Sequence, residues 1–168
     1  MADFSQAVAR TIIFEGGYVN NPHDSGGETY EGISIKNWPK WEGWVRLHSH
    51  PQGDRLDLDS ILQGMVVDFY RVHFWQYDGI NDQDVADKVF DLGVNVGKVH
   101  AVKILQQVVG TNQDGIYGPN TERLVNSHPR GSLTPLIKTS AEKYYLAIVQ
   151  SHPEDSQFLQ GWLKRAEA

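Results

Sequence analysis

Three residues early in the chain have the types and spacing for acid-catalysed bond cleavage. Glu15 closes the apolar run Ile12-Ile13-Phe14 and is followed by Gly16-Gly17-Tyr18. Asp24 lies nine positions on, in the polar stretch Asn20-Asn21-Pro22-His23-Asp24-Ser25-Gly26-Gly27, and Thr29 follows five after that. A carboxyl group at the C-terminal end of a helix, beside apolar side chains, sits where negative charge is disfavoured. That prepares a general acid for work near neutral pH. Cleavage of a glycosidic bond needs two such groups: one protonates the leaving oxygen, the other stabilises the cation-like transition state or activates water. A nearby hydroxyl such as that of Thr29 can hold the water. By position alone, Glu15 reads more readily as a surface residue that happens to end a helix than as a catalytic acid.

The elements that must bring these groups together can be read from periodicity. Ala7-Val8-Ala9 and Ile12-Ile13-Phe14 recur at helical spacing, so residues 4–14 are expected as an amphipathic helix capped by Asp3 or Ser5, with Glu15 in its last turn. Gly16-Gly17 should stop it, because glycine readily takes the left-handed conformation just past a helix end. Residues 18–20 and 29–34 have the short alternating character of a hairpin or meander. Trp38, Trp41 and Trp44 suit either a hydrophobic cluster beneath a long loop or an aromatic rim for sugar, the cluster being the reading preferred. His48, His50, Asp54 and Asp57 have metal-compatible types but not the helical spacing of a metalloprotease, and no metal or other cofactor is expected.

From residue 56 onward the pattern is helical. Asp57 or Asp59 can cap a helix through Phe74, and Asp82 or Asp84 a second through Val85, Val89, Leu92 and Val96. That second helix is apolar on several sides and should be the most buried. Its polar residues Asp91 and Asn95 must find partners or line a cleft. Further helices are expected at 101–109, 120–125, 135–150 and 156–167. A boundary near residues 77–83 divides a mixed lobe, 1–80, from a helical lobe, 81–168, packed as one compact unit.

Bulk composition narrows the function classes. The chain has 168 residues, 40% hydrophobic and 21% charged, with no cysteine and a formal net charge of -6. A broad nucleic-acid footprint and electrostatic adhesion to an anionic surface are both disfavoured by that sign. Disulfide and thiolate chemistry are excluded. No apolar run approaches a membrane span, so membrane insertion is not expected. The first residues lack a basic region and an apolar core, so no signal peptide is expected.

Glu15-Gly16-Gly17-Tyr18-Val19-Asn20-Asn21-Pro22, then Asp24-Ser25-Gly26-Gly27, Thr29 and Gly32-Ile33-Ser34, resemble the signature of glycoside hydrolase family 108, phage-endolysin-like N-acetylmuramidases that include proteins described as secretion activators. Residues 89–97 and 101–107, Asp114-Gly115-Ile116-Tyr117-Gly118-Pro119-Asn120-Thr121 and Gly161-Trp162 are similar to the peptidoglycan-binding segment that members carry. The resemblance spans nearly the whole chain. It implies a mainly α (α+β), lysozyme-like fold, with a small β-hairpin lobe near the N-terminus and a helical C-terminal lobe. It further implies hydrolysis of the bond between N-acetylmuramic acid and N-acetylglucosamine, with peptidoglycan glycan strands as the partner and Glu15 as general acid. Asp24 and Thr29 match the residues that position water in phage-type lysozymes, at a spacing one residue shorter. Ser25 stands where the family commonly has proline. Tyr18, Tyr30 and Asn95 are the candidate substrate contacts, Asn95 because an amide offers both donor and acceptor to N-acetyl groups. Synthesis in the bacterial cytoplasm and holin-dependent release onto the wall, from a phage or prophage gene, fit the absent signal peptide. Three alternatives stay open: a non-catalytic wall-binding or secretion-related protein on the same fold, the same cleft used on chitin-type polymers, and a lytic transglycosylase.

Overall fold

The computed structural model describes residues 1–20, 27–51 and 53–168. Eight α-helices and one small antiparallel sheet are found among them. The chain divides into two compact units: Val8–His73 forms one, and Met1–Ala7 with Phe74–Ala168 the other.

The first helix, α1 (Phe4–Ile12), runs from one unit into the other. Asp3 accepts from the Ser5 amide at 2.7 Å and so caps its start. Phe4, Ala7, Val8 and Thr11 are its buried residues, a three-four spacing that defines a single stripe. The expected extension to Phe14 does not occur. The Phe14 amide reaches back to the Thr11 carbonyl and the Glu15 amide to that of Ile12, each at 3.0 Å. These tighter three-residue bonds end the helix early and turn Ile13 and Phe14 outward. Neither Gly16 nor Gly17 has a positive φ, so the expected left-handed stop is corrected too: the helix ends through its tightened turn, before the glycines.

In the unit Val8–His73, three two-residue strands form a meander: β1 (Tyr18–Val19), β2 (Thr29–Tyr30) and β3 (Ile33–Ser34). Tyr18 faces Tyr30 and Val19 faces Thr29; Tyr30 also faces Ile33, and Thr29 faces Ser34. Helix α2 (Gly43–His48) and a 3-10 turn at Leu56–Leu58 lead to α3 (Ser60–Phe74). Asp59 caps α3 by accepting from the amides of Ile61 and Leu62 at 3.0 and 3.1 Å. The buried positions of α3 are Leu62, Val66, Phe69 and Tyr70. The tryptophans pack with this face: Trp38 meets Phe69 edge-on at 4.9 Å, Trp41 meets Trp44 at 5.1 Å, and the Trp44 indole donates to the Trp38 carbonyl at 2.9 Å. This is the expected hydrophobic cluster, with Trp44 buried and Trp38 and Trp41 half-buried.

The other unit is helical. Helix α4 (Gln83–Val96) is capped by Asp82 and buried continuously from Val85 to Gly93. Around it in sequence follow α5 (Lys98–Val108), α6 (Pro119–Ser127), α7 (Leu133–Ser151) and α8 (Leu159–Glu167). The buried polar residues of α4 are partnered within the unit. Asp91 accepts from Arg165, at 3.0 Å from Nε and 2.9 Å from Nη2. Lys88 donates to the Arg165 carbonyl at 2.6 Å. The loop before α6 is pinned by buried Gln106, whose amide nitrogen donates to Asp114 at 2.7 Å while its oxygen accepts from the Gly115 amide at 2.9 Å. Gly115 has φ +76° and crowds Val99, so that glycine is required by both backbone and space.

Candidate active site

Glu15 emerges from the turn that ends α1 and is half-buried. Its carboxyl lies against the tip of the β2–β3 hairpin. A Cβ added to Gly32 would stand 2.5 Å from Glu15 Oε2 and 2.6 Å from the Tyr70 hydroxyl. The glycine therefore gives the acid its space. The Tyr70 hydroxyl, on α3, donates to the Glu31 carbonyl at 2.7 Å and ties the hairpin tip down. Three elements thus converge on the carboxyl of Glu15: the end of α1, the hairpin turn and α3.

Glu31 belongs to this constellation although the strand-like reading of residues 29–34 hid it. Burial, and then the charges of Glu15 and Asp57, push its carboxyl above the ordinary carboxylate value. The signal that could have found it is the dipeptide Glu31-Gly32 between two short β-branched stretches, which is a two-residue hairpin connection.

Thr29 sits on β2, where its hydroxyl donates to the Gly27 carbonyl at 3.4 Å. Asp24 lies outside the described residues. Tyr18, on β1, is 44% exposed and its hydroxyl accepts from Asn20 at 3.3 Å. Tyr30 is different. It is 1% exposed, its hydroxyl accepts from Gln63 at 2.7 Å, and Trp41 lies near-parallel to it at 6.5 Å. Burial pushes its phenol up to about 12. So covered, the ring packs against Trp41 and is held by Gln63. Asn95 is placed in the helical unit, where its carbonyl oxygen accepts from the Tyr145 hydroxyl at 2.6 Å.

The His48 to Asp59 region is a separate ion-pair cluster. Arg46 donates to both oxygens of Asp59, at 2.6 and 2.8 Å. His50 bridges Asp59 at 2.7 Å and Asp54 at 3.1 Å, and His48 pairs with Glu28 at 2.8 Å. An open hollow of about 440 Å³ lies beside Arg46, His50 and Ile61, but neither Glu15 nor Thr29 lines it. No cluster of three or more metal-ligating side chains occurs among the described residues.

The family model for glycosyl hydrolase 108 matches residues 8–97, more than half of the chain. The chain belongs to the glycosyl hydrolase 108 family. Its remaining helices, residues 100–167, match a second family model, described as a predicted peptidoglycan domain. Among solved structures, SagA of Brucella abortus is similar to this family member at 26% identity and a TM-score of 0.73, over 98% of this chain and 89% of that one. The search of the curated proteins finds no match. The mainly α, lysozyme-like fold implied by the sequence is thereby shown, and the chain is a lysozyme-like protein of the peptidoglycan-acting kind. The family match ends 24 residues beyond the first compact unit (97 − 73), so this glycosyl hydrolase 108 region takes in all of α4.

Proposed function

We propose that the protein hydrolyses the bond between N-acetylmuramic acid and N-acetylglucosamine in peptidoglycan, with Glu15 as the general acid. Family membership supports a glycosidase, and the second matched region supports the wall polymer as substrate. The observation that carries the reading is the seat of Glu15: a half-buried carboxyl that, with the Tyr70 hydroxyl, borders the space a side chain at Gly32 would fill. Such a seat fixes the carboxyl's direction, and general acid catalysis depends on that geometry before anything else. The proton of Glu15 passes to the glycosidic oxygen as the bond to the anomeric carbon breaks. Water then completes the reaction at that carbon, helped by a second carboxyl. Thr29, and Asp24 by the resemblance, belong on the water side. The exposed ring of Tyr18 offers a face for a sugar.

The isosteric Glu15→Gln variant tests this. It should fold as the parent does and release reducing ends from purified peptidoglycan about 100-fold more slowly or worse. Undiminished release would sink the assignment. Binding to peptidoglycan without any release by the parent protein would favour the non-catalytic, wall-binding reading, for which the second matched region is the supporting observation.

A further inference from the structure

Tyr70 lies on the buried face of α3, yet it carries a hydroxyl where phenylalanine would fill nearly the same volume. A hydroxyl taken from water costs free energy unless it is hydrogen-bonded. This one has a single hydrogen and gives it to the Glu31 carbonyl at 2.7 Å. The choice of acceptor is informative. Glu31 has φ +45° and Gly32 φ +76°, so the connection between β2 and β3 is a mirror-image turn with a non-glycine residue at its first position. That conformation is disfavoured for a long side chain and persists where the surroundings hold it. The bond from Tyr70 falls on the carbonyl of that residue.

The same oxygen borders the acid. The Tyr70 hydroxyl oxygen and Glu15 Oε2 both lie within 2.6 Å of one point, the place a Gly32 Cβ would take, and Glu15 Cδ is 3.0 Å from it. With its hydrogen committed to Glu31, the hydroxyl has none left to give Glu15. It fills space beside Oε2 without drawing the carboxylate to itself.

We propose that Tyr70 is a positioning residue for the general acid: it tethers the hairpin tip and fills the space beside Oε2, so that the Glu15 carboxyl keeps one direction. The assignment rests on the muramidase reading of Glu15. Removing the oxygen does two things at once. The tip loses its tether, and a space the size of one oxygen atom opens into which the carboxyl can swing. A carboxyl that swings away is out of line with the glycosidic oxygen for part of the time, whereas the sugar binds as before. The signature is a fall in kcat with KM unchanged.

The test sets Tyr70→Phe beside the parent, Glu15→Gln and a matched control, Gln63→Met, on solubilised peptidoglycan fragments, reading kcat, KM and melting temperature. Gln63, also on α3, donates to the Tyr30 hydroxyl at 2.7 Å, so each of the two α3 variants gives up one hydrogen bond between that helix and the β2–β3 hairpin. Tyr70, not Gln63, is among the groups nearest a Gly32 Cβ. Tyr70→Phe keeps the ring and should fold. It should lose about tenfold or more in kcat, with KM within about twofold of the parent. Gln63→Met should stay within about threefold in kcat even where it melts lower. Adding Gly32→Ala to Tyr70→Phe should cost no more than Gly32→Ala alone, because both act on one seat. A smaller kcat loss in Tyr70→Phe overturns the assignment. So does an equal loss in Gln63→Met, which would make the effect general support of the hairpin. A change confined to KM overturns it by making Tyr70 a sugar-binding residue, and so do losses that multiply in the double variant. A Tyr70→Phe protein without a cooperative melt overturns it as well, since Tyr70 would then support the whole fold. If the parent releases nothing, or Glu15→Gln is as active as the parent, the muramidase reading falls and this assignment with it. If Glu15→Gln is inactive and Tyr70→Phe is normal, only the Tyr70 assignment falls.

Discussion

Gly32 is the residue on which the seat of the Glu15 carboxyl depends. Any side chain there meets Glu15 Oε2 and the Tyr70 hydroxyl, and the φ of +76° already disfavours a Cβ. Gly32→Ala is expected to cost about 1 kcal/mol or more in stability, by urea titration. Its activity should fall further than that loss explains, about 100-fold, because the acid is displaced by about the width of an atom. A variant with normal turnover would show that the seat of Glu15 does not matter. The place of Glu15 at the end of a helix was legible in the sequence, through the apolar run before it and the glycines after it. The reason given for the glycines was not right, since neither takes positive φ. Glu31 was hidden for a related reason. A run of alternating residues looks like one strand until its central dipeptide is recognised as a turn, and a turn reverses which side chains face the acid.

At the scale of elements, the helices were readable because their apolar residues repeat at three-four spacing, as Phe4, Ala7, Val8 and Thr11 do in α1. Their ends were less so. Tertiary packing and local hydrogen bonds, such as the tightened turn after Ile12, decide an end as much as the residues themselves. The link between α2 and α3 has a consequence for pH. The carboxylates of Asp59 and then Asp54, by hydrogen bonding, hold the His50 imidazole above its ordinary value. The stability this contributes is fully present below 6.5, the unfolded value, and is lost as pH rises through the folded one. Asp59 runs the other way: its hydrogen bonds from Arg46 hold it well below the usual carboxylate range. Its contribution is present above 3.8 and is lost as pH falls through the depressed value. Melting temperature should therefore decline as pH is raised from about 6.5, and His50→Gln should flatten that decline. An unchanged slope in the variant would remove His50 from the account. The aromatic stretch 38–44 shows why pattern alone could not choose between rim and core. Three tryptophans at spacing three suit both, and only the partners Phe69 and Tyr30 decide.

At the scale of the whole molecule, an acidic chain acting on an acidic polymer must hold it by shape and hydrogen bonds. With a formal net charge of -6, co-sedimentation with purified sacculi should persist or strengthen as salt rises from about 50 to 500 mM, because screening removes repulsion. Binding that collapses over that range would mean a local basic patch dominates. The sequence shifts from mixed to helical patterning near residue 80. The compact units separate after His73, whereas the family matches separate between residues 97 and 100. Composition cannot reveal such a difference, since α4 is helical under either division. The central claim is that Glu15 drives hydrolysis of the muramic-acid bond. Mass spectrometry of digested peptidoglycan, parent beside Glu15→Gln, tests it most directly. The account predicts fragments ending in intact, hydrated muramic acid from the parent, and essentially none from the variant. Anhydro products, lighter by one water, or equal digestion by the variant would contradict it.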